Sequence, residues 1–251
     1  MMFQPHKPIP VEPTFDEFVE SQNGKLVKHL IDKNPDFDNA DYLFSAANVI
    51  AELKEITTEF HLANGHAKKL HEIFVEFERR GEMTWEDVLA QRFPREFRRQ
   101  QMRLFRPPIQ RILKKANRQI RVTKSALERE NASGVLFVVN DGFTAVSPVW
   151  VHGLLAESLV HSYGSIECLV YMTVNSYVGI PNDDYARLIW TTSYADTAPD
   201  ELVRFIDDLG RGWRKFLEAK IGPFDVSSES PDRTKLLGSE IVLPGRTRSR
   251  E

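Results

Sequence analysis

The sequence predicts a mixed α/β domain in which a central sheet is flanked by helices. Three observations point there: a helical apolar stripe opens the chain, two short strand-like segments follow as a hairpin, and later apolar runs of strand length alternate with segments of helical period. With 251 residues, 41% of them hydrophobic, the chain can bury a substantial core. Its longest apolar runs, Val135–Val139 and Cys168–Val174, fall well short of the roughly 20 residues needed to cross a bilayer. Met1–Pro13 is proline-rich with no apolar stretch of signal-peptide length, and the single Cys168 has no intramolecular disulfide partner. A cytoplasmic protein without membrane contact is the expectation.

Residues 1–13 read as a flexible lead-in, residues 14–222 as one domain. Thr14 with Asp16 and Glu17 marks a helix start, and Phe15, Phe18, Val19, Leu26, Val27, Leu30 and Ile31 continue the helical spacing to Asn34-Pro35, with a break at Asn23-Gly24. Ala40–Phe44 and Val49–Ile56 are strands joined by the small residues 45–48. A helical insertion over about 57–108 comes next. From His66 to about Glu130 the stripes Leu70, Ile73, Phe74, Phe77 and Ile109, Ile112, Leu113, Ala116, Ile120, Leu127 are helical, with divisions expected at Pro94 and Pro107-Pro108. Residues 134–139 form a buried strand that closes in the turn Asn140-Asp141-Gly142. A helix over 148–163, a C-terminal β-hairpin of 166–174 and 186–192, and a helix over 199–220 complete the domain. Residues 223–251, rich in Ser, Pro, Arg and Gly, read as a mobile tail.

Chemistry concentrates at Glu52 and Lys54. They lie two apart in a predicted strand whose neighbours are apolar or small, so alternation places both on one face. Glu218-Ala219-Lys220 repeats the spacing on a predicted helix, where positions i and i+2 diverge, so strand context carries the weight. If the two early strands pair, Asp41 comes near Glu52. Two carboxylates and an ammonium suit metal-assisted phosphodiester hydrolysis: Asp41 and Glu52 would hold Mg²⁺ (or Mn²⁺), the Leu53 backbone carbonyl would add a ligand, and Lys54 would assist the attacking water.

Asp41-Tyr-Leu-Phe followed by Val49-Ile-Ala-Glu-Leu-Lys-Glu-Ile56 resembles the catalytic hairpin of the PD-(D/E)XK nuclease superfamily, which has the restriction-endonuclease-like fold. The resemblance implies an α-β-β-β-α-β core over about residues 14–140, of whose three early strands two are legible. It also implies metal-dependent cleavage of nucleic acid, DNA above all, with Asp41 and Glu52 as metal ligands and Lys54 as the catalytic lysine. A carboxylate of the first helix joins the site in some members, and Glu17 or Glu20 would fill that place. Because this fold often cuts two strands with two subunits, a homodimer or a partner protein is an expected assembly. The alternative is a non-catalytic module that keeps the fold and binds nucleic acid or protein.

Net charge is −3, yet residues 92–124 carry twelve cations against the single anion Glu96. Arg111, Lys114, Lys115, Arg118, Gln119, Arg121 and Lys124 are the candidate nucleic-acid contacts from this segment. His61, His66 and His71 are spaced by five, which does not place two zinc ligands on one helical face. Cys168 reads as a packed residue, and Trp190 and Tyr194, flanking a strand end, suit core packing or an interface as well as base stacking.

Overall fold

The computed structural model describes residues 5–31, 37–57, 65–89 and 92–242. Its first helix, α1 (Val11–Ser21), begins three residues earlier than the Thr14 signal suggests, with Pro10 at its N-cap. The helix does not resume after the expected break. Asn23 adopts φ 60° and Gly24 packs so tightly that a Cβ there would lie 2.5 Å from Val19 Cγ1 and 2.9 Å from the Phe44 ring. The chain reverses into β1 (Lys25–Leu26) and a short 3₁₀ turn, Val27–His29. Leu26 and Val27 then bury into cores on opposite sides of the sheet, an alternation that the helical spacing of the apolar residues concealed.

The expected hairpin is present as β2 (Tyr42–Phe44) and β3 (Val49–Thr57), antiparallel with Tyr42 opposite Ala51. Asn48 at φ 50° makes the turn. The insertion comprises α2 (His66–Arg79) and α3 (Trp85–Leu89), which close a small core of Phe74, Phe77, Met83 and Phe97 with the start of α4. Pro94 caps α4, but α4 (Arg95–Ala126) runs 32 residues straight through Pro107 and Pro108, where a division was expected. Phe105 and Ile109, on either side of the pair, are both fully buried against the sheet and the next helix, and this packing outweighs the lost backbone donors.

From α4 the chain enters β4 (Ser133–Asp141), parallel to β3 from Val49↔Ser133 to Thr57↔Asp141, and then α5 (Pro148–Ser162). β5 (Cys168–Thr173) lies parallel to β4. Strands β6 (Tyr177–Gly179) and β7 (Ala186–Arg187) intervene before β8 (Trp190–Tyr194) returns antiparallel to β5. The expected C-terminal hairpin is therefore β5–β8, with Ala186–Arg187 assigned to a different sheet. α6 (Asp200–Ile221) follows.

The main sheet has six strands in the order β1-β2-β3-β4-β5-β8. On one face α1 and α6 pack through Phe15, Phe18, Leu209 and Trp213; on the other, α4 and α5 pack through Phe105, Leu113, Val151 and Leu155. The protein is thus a mixed α/β fold with helices on both sides of a mixed sheet. Among the described residues no helix is long and apolar enough to cross a membrane.

Of the two terminal segments expected to be flexible, the described parts make contacts with the domain, and residues 1–4 and 243–251 lie outside the described residues. The His6 N–H donates to the Tyr177 hydroxyl at 3.1 Å, and Ile9 exchanges two hydrogen bonds with the Asn175 side chain at 2.9 Å each. The tail contributes β9 (Glu240–Val242), which pairs with β6 in a second sheet of order β7-β6-β9. Ser239 is fully buried there.

Candidate active site

β2 accompanies only the first part of β3. Their register ends at Tyr42↔Ala51, whereas β3 continues to Thr57 with β4 alongside on its other edge. Asp41 sits where the ladder ends. Its backbone N–H donates to the Ala51 carbonyl at 3.1 Å and its carbonyl accepts from the Val27 N–H at 2.8 Å, which fixes it between β1 and β3. Its side chain then takes over from the strand: Asp41 Oδ2 accepts from the Leu53 N–H at 2.8 Å. A strand residue directs its N–H and carbonyl to the same neighbour, so the Leu53 carbonyl also faces this edge, past the end of β2.

Glu52 and Lys54 share the α4 side of the sheet with Ile50 and Ile56, while Ala51 and Leu53 join the α1 side. The alternation read from the sequence is therefore the arrangement in the fold. Glu52 is 0% exposed; Lys54, two residues nearer the open edge, keeps 21% of its side chain accessible and forms an ion pair with Glu52 Oε1. The other oxygen, Oε2, is buried and finds no hydrogen-bond donor among the described residues. A protonated Glu52 hydrogen-bonds the Asp41 carboxylate, whereas in the ionised form this oxygen is unsatisfied, at a cost of about 1–3 kcal/mol or more.

This environment shifts both acids. Burial first, and then the neighbouring Asp41 charge, push the Glu52 carboxyl up to about 8 against the pull of Lys54. Burial likewise raises Asp41, opposed by the Leu53 N–H and by Lys54. Two carboxylates this close in a dry site resist full ionisation together until a cation joins them.

α4 holds the segment leading into Asp41. Thr123 Oγ1, fully buried, accepts from the Ala40 N–H at 2.7 Å, and Gln119 Nε2 donates to the Asn39 carbonyl at 2.8 Å. Gln119 is thus a buried positioning residue, not a surface contact. Lys124 is also withdrawn from the candidate nucleic-acid face: it is 8% exposed and pairs with Glu167 at 3.4 Å beneath the end of α4. Lys115 and Arg118 are exposed and flank Asp38, at 3.7 and 3.3 Å. Arg111, Lys114 and Arg121 are exposed on the outer face of α4.

The α1 carboxylates are arranged differently from expectation. Glu20 is exposed at the C-terminal end of α1, and Glu17 forms an ion pair with Lys220 of α6. Glu12, in the first turn, is the α1 acid whose negative charge raises Asp41. Asp16 accepts from the Tyr42 hydroxyl at 3.0 Å and pairs with Lys28 at 2.8 Å, bracing β2. Glu12 and Thr123 went unread because one precedes the apparent helix start and the other lies in an ordinary helical pattern; Pro10, placed to open a helix, was the available signal for Glu12.

The remaining sequence candidates have structural places. Asn140 is buried in β4, where its amide bonds the Phe143 backbone in both directions and the Tyr171 hydroxyl at 2.8 Å. Cys168 is buried in β5, and burial pushes its thiol up, away from the reactive thiolate. Trp190 and Tyr194 pack at the edge of the α1-side core. His66 starts α2 edge-on to Phe105, His71 lies within α2, and His61 lies outside the described residues.

No family model, curated protein or solved structure matches this chain. The residues themselves must therefore decide what the site can hold. Among the described residues no group of three His, Cys, Asp or Glu side chains is placed to bind a metal. Asp41 and Glu52 provide two carboxylates, and the Leu53 carbonyl a third oxygen. These are hard donors suited to Mg²⁺ or Mn²⁺, which keep several positions for water and phosphate oxygens.

Proposed function

We propose that this chain is a metal-dependent phosphodiesterase acting on nucleic acid, DNA in the first instance, with Asp41, Glu52 and Lys54 as its active site. The observation that carries the proposal is the fully buried Glu52, one oxygen on Lys54 and the other without a donor among the described residues, beside Asp41 at the point where the pairing of β2 with β3 ends. A carboxyl raised by burial lowers stability as the pH rises, and an acid held at that cost beside a second acid and a lysine marks the site as functional. With the inserted α2 and α3 set aside, the succession α1, β1, β2, β3, α4, β4, with the first three strands antiparallel and the fourth parallel to the third, supports the restriction-endonuclease-like core implied by the hairpin.

Asp41, Glu52 and the Leu53 carbonyl would hold the ion. A bound divalent ion supplies Lewis-acid polarisation of the phosphate and acidifies water. Glu52 would hold such an ion as the carboxylate, its proton released to solvent. Lys54, 21% exposed and past the end of β2, would orient the attacking water and offset the negative charge that grows on the phosphate. The Leu53 N–H donates to Asp41 at 2.8 Å, which anchors the Leu53 backbone at this edge and with it the neighbouring carbonyl.

The non-catalytic alternative requires Asp41 and Glu52 to stand too far apart to share an ion, which their coupling through Leu53 and through charge disfavours. Incubation of the purified chain with labelled single-stranded DNA, duplex DNA and RNA, with Mg²⁺ or Mn²⁺, tests the proposal. Cleavage of at least one substrate that disappears in both Glu52→Gln and Lys54→Ala is expected; folded protein inert toward all of them, or equally active variants, would overturn it.

A further inference from the structure

Not all cations of α4 serve the fold. Arg99, Arg106 and Lys124 are tied to Glu96, Glu157 and Glu167. Arg103, Arg111, Lys114 and Arg121 are exposed and have no ion-pair partner among the described residues. At 100° per residue these four, with Arg118, fall within an arc of about 80°. The buried Phe105, Ile109, Leu113, Ala116 and Ile120 occupy the opposite side of the helix. From Arg103 to Arg121 the stripe runs about 27 Å at 1.5 Å per residue, most of the roughly 34 Å turn of a nucleic-acid duplex.

Two features select the ligand. No exposed residue of α4 is aromatic, so the surface lacks the stacking platform that single-strand binders use, while its charge is suited to phosphates alone. Near one end, Arg118 and Lys115 share the Asp38 carboxylate, three residues ahead of Asp41, so the stripe passes the rim of the candidate active site. All three side chains are more than half exposed, and the contact is weak enough for a phosphate to displace the carboxylate.

We infer that the solvent face of α4 is a docking track for the phosphate backbone of double-stranded nucleic acid, held by charge without reading bases. Delivery of the bound strand to Asp41 and Glu52 rests on the phosphodiesterase proposal; the docking itself does not.

Fluorescence anisotropy of the full chain in EDTA, with a labelled DNA duplex two turns long, its single strand and a polyglutamate peptide, tests the inference. The duplex binds more tightly than the single strand, with a slope of log K against log salt of about −3.5 to −4.5 for four or five phosphates. Arg111→Glu with Lys114→Glu lowers duplex affinity about tenfold or more, and Lys114→Ala alone reduces the slope by about one. Asp38→Asn raises affinity, and Lys68→Glu, on the exposed side of α2, leaves it unchanged. Circular dichroism of each variant excludes misfolding as the cause. Equal affinity for the single strand, unchanged affinity in the double charge reversal, or binding of polyglutamate without the duplex would overturn the inference. Glu52→Gln retains duplex binding. Metal-dependent cleavage by a protein that ignores the α4 reversals would overturn the docking track and leave the phosphodiesterase proposal standing, whereas α4-dependent binding without cleavage under any metal does the reverse.

Discussion

Replacing Glu52 by glutamine should make the protein more stable while removing its activity, and the gain should grow with pH. In the folded chain Glu52 is fully buried and its carboxyl is pushed up to about 8, whereas in the unfolded chain it returns to its ordinary 4.5. Below pH 4.5 both states are protonated, and the group penalises neither. As the pH rises toward 8 the unfolded chain releases its proton and the folded chain keeps it, so folding loses free energy through this interval. At 1.36 kcal/mol per pH unit, the penalty reaches about 3–5 kcal/mol by pH 8 to 9, a large share of a typical total of about 5–15 kcal/mol. Glutamine has nearly the same shape and no charge to bury, and its amide can donate toward Asp41. Loss of the Lys54 ion pair offsets part of the gain, but Lys54 keeps partial solvent access and the Asp41 charge nearby. Thermal denaturation in EDTA between pH 5 and 9 is the assay. Near pH 5 the two proteins should melt within a few degrees of each other; near pH 9 the variant should melt about 5–15 °C higher, taking about 2–4 °C per kcal/mol. A variant less stable than wild type at pH 9, or a difference that does not change with pH, would refute the reasoning.

Thr123→Val should destabilise the chain by about 1–3 kcal/mol in urea denaturation, because the buried Ala40 N–H loses its acceptor, and it should lower cleavage by shifting the adjacent Asp41. Glu12→Gln should weaken Mn²⁺ binding measurably by titration calorimetry, since Glu12 adds negative charge at Asp41, while Glu20→Gln, exposed at the far end of α1, should leave it unchanged. Gly134→Ala should prevent recovery of folded protein, because its Cβ would lie 1.8 Å from the backbone carbonyl oxygen of Ser165.

How much of this was legible in the sequence follows the range of the forces involved. The β2–β3 hairpin and the shared face of Glu52 and Lys54 could be read because alternation is local and the strand is nine residues long. β1 could not, since two residues carry no period and Leu26 and Val27 fit a helical stripe as well as a strand. The continuity of α4 through Pro107-Pro108 depends on Phe105 and Ile109 meeting a sheet and helix formed by residues far along the chain. The basic segment was plain as composition, but its division into free and committed cations rests on distant acids: Lys124 answers Glu167, and Lys115 and Arg118 answer Asp38. β9 was hidden for the same reason. Its three residues become a strand only because β6 offers an edge.

The claim that Asp41 and Glu52 jointly hold one divalent ion can be tested most directly by titrating Mn²⁺ into the chain under electron paramagnetic resonance, with Asp41→Asn and Glu52→Gln alongside. Saturable binding at neutral to mildly alkaline pH that is lost in both variants, while each remains folded, is the predicted result. Binding that survives in either folded variant, or wild-type protein that binds no Mn²⁺ at all, would contradict it.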